Sequence, residues 1–318
     1  MITLEHAYIL EGMMFVGFSW LSLRDRTNRK RYGNAGFWML LAISFLFGSE
    51  IDDLANGLLV LALVVLGGTG AMGIGRPATT SPEQRQAHAE ARDNWLFGPA
   101  LVIPFVAILG TLTLKSVSFG GIPLVDAKQV TLISLALGIV VALAVAMAWL
   151  KPPALAPLQE GRRLADTIGW AAILPQMLAA LGAVFALSGV GDAVGTIATT
   201  WLPLGHPFAA VATYCIGMAL FTAIMGNAFA AFPVMTAAVG VPLIVHKFGG
   251  DPTIMGAIGM LSGFCGTLTT PMAANFNIVP AALLELPDRN AVIKAQLPTA
   301  IPLLLGNIIL MYALVFRF

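Results

Sequence analysis

Nearly uncharged apolar runs of about twenty residues recur along the whole chain, which is the length that crosses the hydrocarbon core of a bilayer as a helix. Of the 318 residues, 58% are hydrophobic and 10% are charged, whereas charged residues make up about 25% of a soluble domain. The pattern predicts an all-α integral membrane protein. About ten membrane segments are expected, near residues 6–23, 35–49, 54–72, 97–114, 129–150, 168–188, 207–225, 228–246, 253–284 and 298–316.

Polar segments between these runs divide the chain. They predict an N-terminal membrane half at 1–150 with about five spans and a possible scaffold role, a cytoplasmic linker at 151–166, and a C-terminal membrane half at 167–318. Positive residues are retained on the cytoplasmic side of a membrane. If the N-terminus lies outside, 13 of the 17 Lys and Arg residues lie on the cytoplasmic side. We therefore expect a multi-pass protein of the cytoplasmic membrane with its N-terminus outside.

One apolar run is too long for a single span. Residues 255–284 contain no charge over 30 positions, about 45 Å as one helix against a hydrocarbon core of about 30 Å. Because Pro271 and Pro280 each lack a backbone donor, the helix is expected to break within "GTLTTPMAANFNIVP", residues 266–280. The polar side chains in this stretch, of which we expect two or three to bind a ligand, are Thr267, Thr269, Thr270, Asn275 and Asn277.

A second break is expected at Gly226 and Asn227, within "TAIMGNAFAAFPVM". A broken helix persists at membrane depth only where it lines a cavity or is buried in protein, and its exposed ends attract anions at the N–H groups and cations at the carbonyls. The pair therefore suits a small carboxylate or a cation, with Na⁺ expected at Asn227, Thr269 and Asn275. The alternative is that Asn227 only bonds a neighbouring helix and Gly226 only permits close packing.

Asp192, in "SGVGDAVG", is a carboxylate in an apolar region without a close basic partner in the sequence. Such residues often serve transport or ion coupling. The alternative is that Asp192 caps a helix at the solvent-exposed surface. The surrounding segment, 188–207, predicts a short helix that dips into or lies along the outer surface. Its similarity to the segment around Asp52 indicates a weak inverted repeat. The first half has no counterpart of the two breaks, so the other half of the site is expected from a second chain, in a homodimer or a hetero-oligomer with another membrane subunit.

The sequence gives no support for enzymatic chemistry. Cys215 and Cys265 lie in apolar runs, the four histidines lie at span ends or in a loop, and no nucleophile–base pair or metal-ligand spacing is present. We expect no enzymatic activity, no cofactor other than a bound Na⁺, and no nucleic-acid partner. The expected partners are membrane lipid and a small-molecule anion. Since there is no ATP-binding motif, transport would draw on an ion gradient.

Two segments carry a family resemblance: "FTAIMGNAFAAFPVMTAAVGVPLI" (221–244) and "GMLSGFCGTLTTPMAANFNIVPAALLEL" (259–286). They resemble an uncharacterised family of bacterial membrane proteins that tend to be encoded beside a second small membrane protein. The break at Gly226 and Asn227 is also similar to the Asn-containing helix breaks of the ion transporter superfamily of carboxylate carriers, although that superfamily has two such breaks and this chain has one.

The resemblance implies a secondary active transporter, or a subunit of one, with re-entrant hairpins in the bacterial inner membrane. It also implies a small organic anion such as 5-oxoproline as the substrate, coupled to Na⁺ or H⁺. The alternative function is a non-transporting scaffold or assembly subunit for a partner permease.

Overall fold

The computed structural model describes residues 1–75, 81–119, 122–201, 205–284 and 286–317. The described chain is predominantly helical, as the sequence predicts. It divides into two compact units, Met1–Trp170 and Ala171–Phe318. The boundary lies just beyond the end of the predicted linker at residue 166.

The first unit contains seven α-helices among its described residues. They are α1 (Leu4–Arg24), α2 (Arg31–Phe47), α3 (Asp53–Gly68), α4 (Pro82–Arg92), α5 (Phe97–Thr113), α6 (Val130–Leu150) and α7 (Ala156–Ile168). Short 3₁₀ helices follow α4 and α5 at Asp93–Leu96 and Leu114–Ser116, and β1 (Ser118–Phe119) pairs antiparallel with β2 (Ile122–Pro123).

Aromatic packing holds α1 against α2. The rings of Phe15 and Trp38 stack with their centroids 5.7 Å apart, and Phe37 and Trp38 are almost completely buried. The hydroxyl of Ser19 donates to the carbonyl oxygen of Ala35 at 2.8 Å. The small side chains of Ser19 and Ala35 and the hydrogen bond between them allow α1 and α2 to approach closely at this point.

A group of buried polar residues joins α7 to the α1–α2 pair. The Nη2 atom of Arg162 lies 3.0 Å from Oδ2 of Asp25, and its Nη1 atom lies 3.7 Å from Oδ2 of Asp166. Oδ1 of Asp166 accepts hydrogen bonds from Asn34 at 2.9 Å and from Trp38 at 2.8 Å. We call these five residues the buried cluster. The predicted linker thus contains a helix that buries charge against the first two helices.

The second unit contains the remaining described α-helices: α8 (Leu174–Leu187), α9 (Val190–Trp201), α10 (Pro207–Met225), α11 (Ala228–Met235), α12 (Pro252–Thr267), α13 (Ile278–Leu283) and α14 (Ala291–Leu314). A 3₁₀ helix spans Gly169–Ile173, and a π-helix, Thr236–Lys247, continues directly from α11. The helix α9 occupies the segment for which a short helix was predicted.

Glycines on one side of α12 allow it to contact α10 closely. A methyl group at Gly259 would lie 2.5 Å from the Tyr214 ring, and one at Gly266 would lie 2.0 Å from the carbonyl oxygen of Ala219. The core around this contact includes the fully buried side chains of Met218 and Met311. Small residues at such spacing are typical of helices that pack within a membrane.

Five helical segments are long and apolar enough to cross a membrane among the residues that the structure describes. They are Glu83–Ser116, Val130–Leu150, Pro207–Met225, Ala228–Lys247 and Ala291–Leu314. Large apolar side chains on them face outward: Phe105 is 62% exposed and Ile309 is 65% exposed. Such surfaces suit lipid rather than water. The count of ten membrane segments and the orientation of the N-terminus remain predictions.

Candidate functional site

The first helix break has the form that the sequence predicts. The helix α10 ends at Met225, and Gly226 adopts a left-handed conformation with φ of +75° while its N–H donates to the Thr222 carbonyl at 2.7 Å. Asn227 is extended, and its Oδ1 atom accepts a hydrogen bond from the Phe229 N–H at 2.8 Å. Glycine tolerates the left-handed position, and Asn is a favoured N-cap, so the two residues end one helix and begin the next.

The second break lies where the long uncharged run predicts it. The helix α12 ends at Thr267, the helix α13 begins at Ile278, and residues 268–277 are not α-helical. The side chain of Asn277 is fully buried. Its Nδ2 group donates to the carbonyl oxygens of Thr267 at 2.9 Å and Thr270 at 2.7 Å. Asn277 therefore ties the irregular segment back onto the end of α12.

The two breaks contact each other directly. A methyl group added to Gly226 would lie 2.5 Å from the carbonyl oxygen of Met272, a distance that requires the backbone to move. Only glycine combines a positive φ with this closeness to a neighbouring backbone. The contact brings the ends of α10 and α12 and the beginning of α11 to one place.

A small pocket lies beside this contact, with a volume of about 220 Å³. Pockets for drug-sized ligands occupy roughly 300–1,000 Å³, so the site fits a ligand of few atoms. Its walls include the rings of Phe229 and Phe264, whose centroids are 5.9 Å apart. The lining residues, none of which has an ionisable side chain, are Leu174, Gly226, Asn227, Ala228, Phe229, Phe264, Thr267, Ala273, Ala274, Asn275 and Phe276.

Backbone dipoles give this neutral pocket its electrostatic character. The first N–H groups of α11 have no acceptor within their own helix, and the last carbonyl groups of α10 have no intrahelical donor. At the end of α12, by contrast, the carbonyls of Gly266 and Thr267 accept hydrogen bonds from Thr269 and Asn277. Helix N-termini favour anions and helix C-termini favour cations. The Nδ2 group of Asn227 adds a donor, since it has no acceptor among the described residues. The arrangement therefore presents donors suited to an anion and carbonyl oxygens suited to a cation, without a charged side chain.

Four of the eight predicted site residues line the pocket: Gly226, Asn227, Thr267 and Asn275. The other four do not. Thr269 donates its hydroxyl to the Gly266 carbonyl at 2.8 Å, the Thr270 hydroxyl accepts from the Met272 N–H at 3.2 Å, and Asn277 bridges two carbonyls. Asp192 is exposed in the first turn of α9.

The predicted Na⁺ ligands are only partly brought together. Asn227 and Asn275 line the pocket and Thr269 does not. Moreover, Oδ1 of Asn227 is engaged as the cap of α11, and Asn275 is exposed. Within the described ranges no group of three or more His, Cys, Asp or Glu residues is placed to hold a metal ion. The oxygens with which the residues lining the pocket could hold a cation are neutral.

A family model with the description "Protein of unknown function (DUF979)" matches residues 5–316, nearly the whole chain. The chain belongs to this DUF979 family. No curated protein and no solved structure matches it. The similarity to the ion transporter superfamily therefore rests on the sequence motif alone.

Two buried acceptors of this DUF979 chain lie outside the pocket lining, and one of them, Thr222, was not singled out from the sequence. Thr222 is fully buried, and its hydroxyl has no hydrogen-bond partner among the described residues. Oδ1 of Asn277 is likewise buried and unpartnered within them. Since both carbonyl contacts of Asn277 require its NH₂ group, the orientation of the amide is fixed. Thr222 could have been found from its position: it lies about one turn before Gly226, in the last turn of α10, which the predicted break leaves next to the site.

Proposed function

We propose that this DUF979 protein is a secondary active transporter, or a subunit of one, that moves a small organic anion such as a carboxylate. The proposed first candidate is 5-oxoproline, and the coupling ion is Na⁺ or H⁺. The observation that carries the proposal is the contact of Gly226 with the Met272 carbonyl, which joins two helix breaks beside a pocket. Broken helices that meet at membrane depth are the usual form of a secondary transporter's binding site.

The anion would bind at the beginning of α11. The backbone N–H groups of Ala228 and Ala230 lie in its first turn, and Asn227 offers its Nδ2 group. A carboxylate that accepts these hydrogen bonds would also interact favourably with the helix dipole. The aromatic rings of Phe229 and Phe276 supply apolar surface for the rest of a small molecule.

The neutral lining favours Na⁺ over H⁺ as the coupling ion. Proton coupling in a membrane commonly uses a carboxylate or histidine, and no such side chain lines the pocket. Two buried oxygens outside the pocket lining, on Thr222 and Asn277, lack a hydrogen-bond partner among the described residues, and such oxygens are the kind of ligand that a hard cation takes. The carbonyl groups at the end of α10 that lack an intrahelical donor add further oxygens.

The proposal also includes the setting of the site. The chain would form about ten membrane segments in the bacterial inner membrane, with its N-terminus outside. A second copy of the chain or a different membrane subunit would complete the site, because the first unit has no described break comparable to the one at Gly226.

The test is uptake of radiolabelled 5-oxoproline, and then of other small carboxylates, into proteoliposomes under an imposed Na⁺ gradient. Asn227→Ala is expected to abolish uptake while folding is retained. Asn227→Ser separates two roles, because serine can cap a helix but lacks the Nδ2 donor. If the amide binds the anion, Asn227→Ser keeps the thermal stability of the wild type and loses uptake.

Controls distinguish the coupling ion and the alternative function. A pH gradient that drives uptake without Na⁺ would assign the coupling to protons. Absence of uptake of every tested anion by the wild type, with and without a co-expressed partner subunit, would contradict transport and leave the scaffold function. Uptake by Asn227→Ala at the wild-type rate would remove this pocket from the transport path.

A further inference from the structure

The loop between α1 and α2 has a dense cluster of positive charge. Five of the eight residues in "RDRTNRKR", 24–31, are basic. Arg24, Arg26, Arg29 and Lys30 are exposed, whereas Asp25 and Asn28 are buried. The loop therefore separates its residues by charge, with cations outward and the acidic and amide side chains inward. We call Arg24, Arg26, Arg29 and Lys30, together with the half-exposed Arg31, the basic face.

The single acidic residue of the loop does not weaken the basic face. The carboxylate of Asp25 turns inward to Arg162, 3.0 Å away, and also accepts hydrogen bonds from Thr27. Burial alone would raise the pKa of Asp25, but the hydrogen bonds from Thr27 and Arg162 outweigh it and hold this pKa below its ordinary value of 3.8. The charge of Asp25 is thus neutralised inside the unit by a residue from outside the loop.

Three features hold the basic face in position. The amide of Asn28 donates to the Gly73 carbonyl at 2.8 Å, and the ammonium of Lys30 donates to the Gly70 carbonyl at 2.6 Å. Arg24 stacks over the ring of Trp20, with its Cζ atom 3.9 Å from the ring centroid. By contrast, Arg26 and Arg29 form no hydrogen bond or ion pair with the described residues. The loop backbone is fixed while these two guanidinium groups remain open to a ligand.

The aromatic residues beside the basic face indicate the level of a membrane surface. Trp20 is 44% exposed and Tyr32 is 68% exposed, and these residue types are enriched at membrane–water interfaces. Exposed apolar side chains, including Ile9 and Met13, lie on the N-terminal side of Trp20 in α1. A helix with an outward apolar surface that ends in Trp and then Arg fits an acyl region followed by a headgroup region.

We infer that the basic face binds the phosphodiester headgroups of anionic phospholipids. Guanidinium groups form paired hydrogen bonds with phosphate oxygens, and basic clusters beside membrane helices attract anionic lipid with a gain of about fivefold for each Lys or Arg. The position of the cluster at the end of α1, whose exposed side chains include Ile9 and Met13, favours a lipid over a soluble phosphate compound. This inference does not depend on the proposed transport function.

The experiment counts bound lipids by native mass spectrometry of detergent-solubilised protein mixed with equal amounts of phosphatidylglycerol and phosphatidylcholine. The wild type is expected to retain phosphatidylglycerol preferentially. The variant Arg26→Gln/Arg29→Gln should lose affinity for it by about fivefold for each removed cation. The control variant Lys115→Gln/Lys128→Gln removes the same charge from two exposed residues outside the loop and should retain the wild-type preference.

Three results would overturn the inference. The first is a preference for phosphatidylglycerol that survives Arg26→Gln/Arg29→Gln. The second is an equal loss in the Lys115→Gln/Lys128→Gln control, which would indicate attraction to net charge alone. The third is displacement of the lipid by inorganic phosphate or RNA at comparable concentration, which would assign the basic face to a soluble polyanion.

Discussion

The guanidinium of Arg162 lies 3.0 Å from the carboxylate of Asp25, although 137 residues separate them in the chain. Both side chains are about 95% buried, since 4% and 5% of their surfaces are exposed. The pair connects α7 to the end of α1, and Arg162 also faces Asp166. Removing the cation would leave two carboxylates buried without a positive partner.

The first prediction concerns this pair. Arg162→Met should lower the free energy of unfolding by about 3–5 kcal/mol, the cost of breaking a buried ion pair from one side. The control is Arg163→Met, because Arg163 pairs with Glu160 at 2.8 Å with about a quarter of each side chain exposed, and such pairs contribute about 1 kcal/mol or less. Thermal unfolding in detergent measures both, and equal losses would contradict the assigned role of Arg162.

Asp166 gives a second prediction, about pH. Burial raises the pKa of Asp166 above its ordinary value of 3.8, opposed by hydrogen bonds from Trp38 and Asn34 and by the charge of Arg162. The carboxylate of Asp166 therefore binds a proton more tightly in the folded protein than in the unfolded protein. As a result, the contribution of Asp166 to the free energy of unfolding falls as pH rises from 3.8 through the pKa of the folded state.

The variant Asp166→Asn cannot ionise at this position. The stability of the wild type relative to Asp166→Asn should therefore decrease as pH rises through that interval and then become constant. The contribution of Asp25 has the opposite sign, because its pKa is lowered, and it cancels only in part in the difference, because the charges of Asp25 and Asp166 interact. A thermal-unfolding series over pH tests this, and a difference that grows with pH would contradict it.

A third prediction concerns Gly226. Gly226→Ala would place a methyl group 2.5 Å from the Met272 carbonyl at a φ of +75°, and strain of this kind costs about 1–3 kcal/mol. We expect lower stability and loss of uptake. Gly306→Ala is the matched control, since no atom of a neighbouring element lies within 4 Å of the added methyl group. It should be neutral or stabilising by up to about 1 kcal/mol; a similar loss in both variants would show that the Met272 contact is unimportant.

The fourth prediction separates two asparagines that are two residues apart. Asn277→Ala removes the donor to the Thr267 and Thr270 carbonyls, and leaving a buried acceptor unpaired costs about 1–3 kcal/mol. Asn275→Ala changes an exposed residue that lines the pocket, so it should change stability by no more than about 0.5 kcal/mol while reducing uptake. Unfolding and uptake measured on both variants test this division, and a stability loss in Asn275→Ala would contradict it.

Local chemistry made the first break predictable. A left-handed glycine followed by a capping asparagine depends only on neighbouring residues, and the sequence places Gly226 and Asn227 together. Prolines were less informative. Pro233 lies inside α11 and Pro242 inside the π-helix, and neither ends its helix. Inside a packed unit, tertiary contacts can stabilise a helix that proline would break in isolation.

Contacts that are distant in sequence were not predictable. Asp25 and Arg162 occur in polar segments that resemble solvated loops, and nothing local shows that they meet. Likewise, Asn275 and Asn277 have the same side chain, but only Asn277 points toward the end of α12. Which amide turns inward depends on how residues 268–277 fold back, and this is set by contacts such as that between Met272 and Gly226.

The π-helix from Thr236 to Lys247 has a mechanical consequence for the helix that begins at Ala228. A π-helical bond joins residues five apart and an α-helical bond joins residues four apart. Changing one bond from the first type to the second shifts the chain beyond it by one residue, a rotation of about 100°. A change of bond type within Thr236–Lys247 would therefore rotate α11 about its own axis while backbone hydrogen bonding stays continuous.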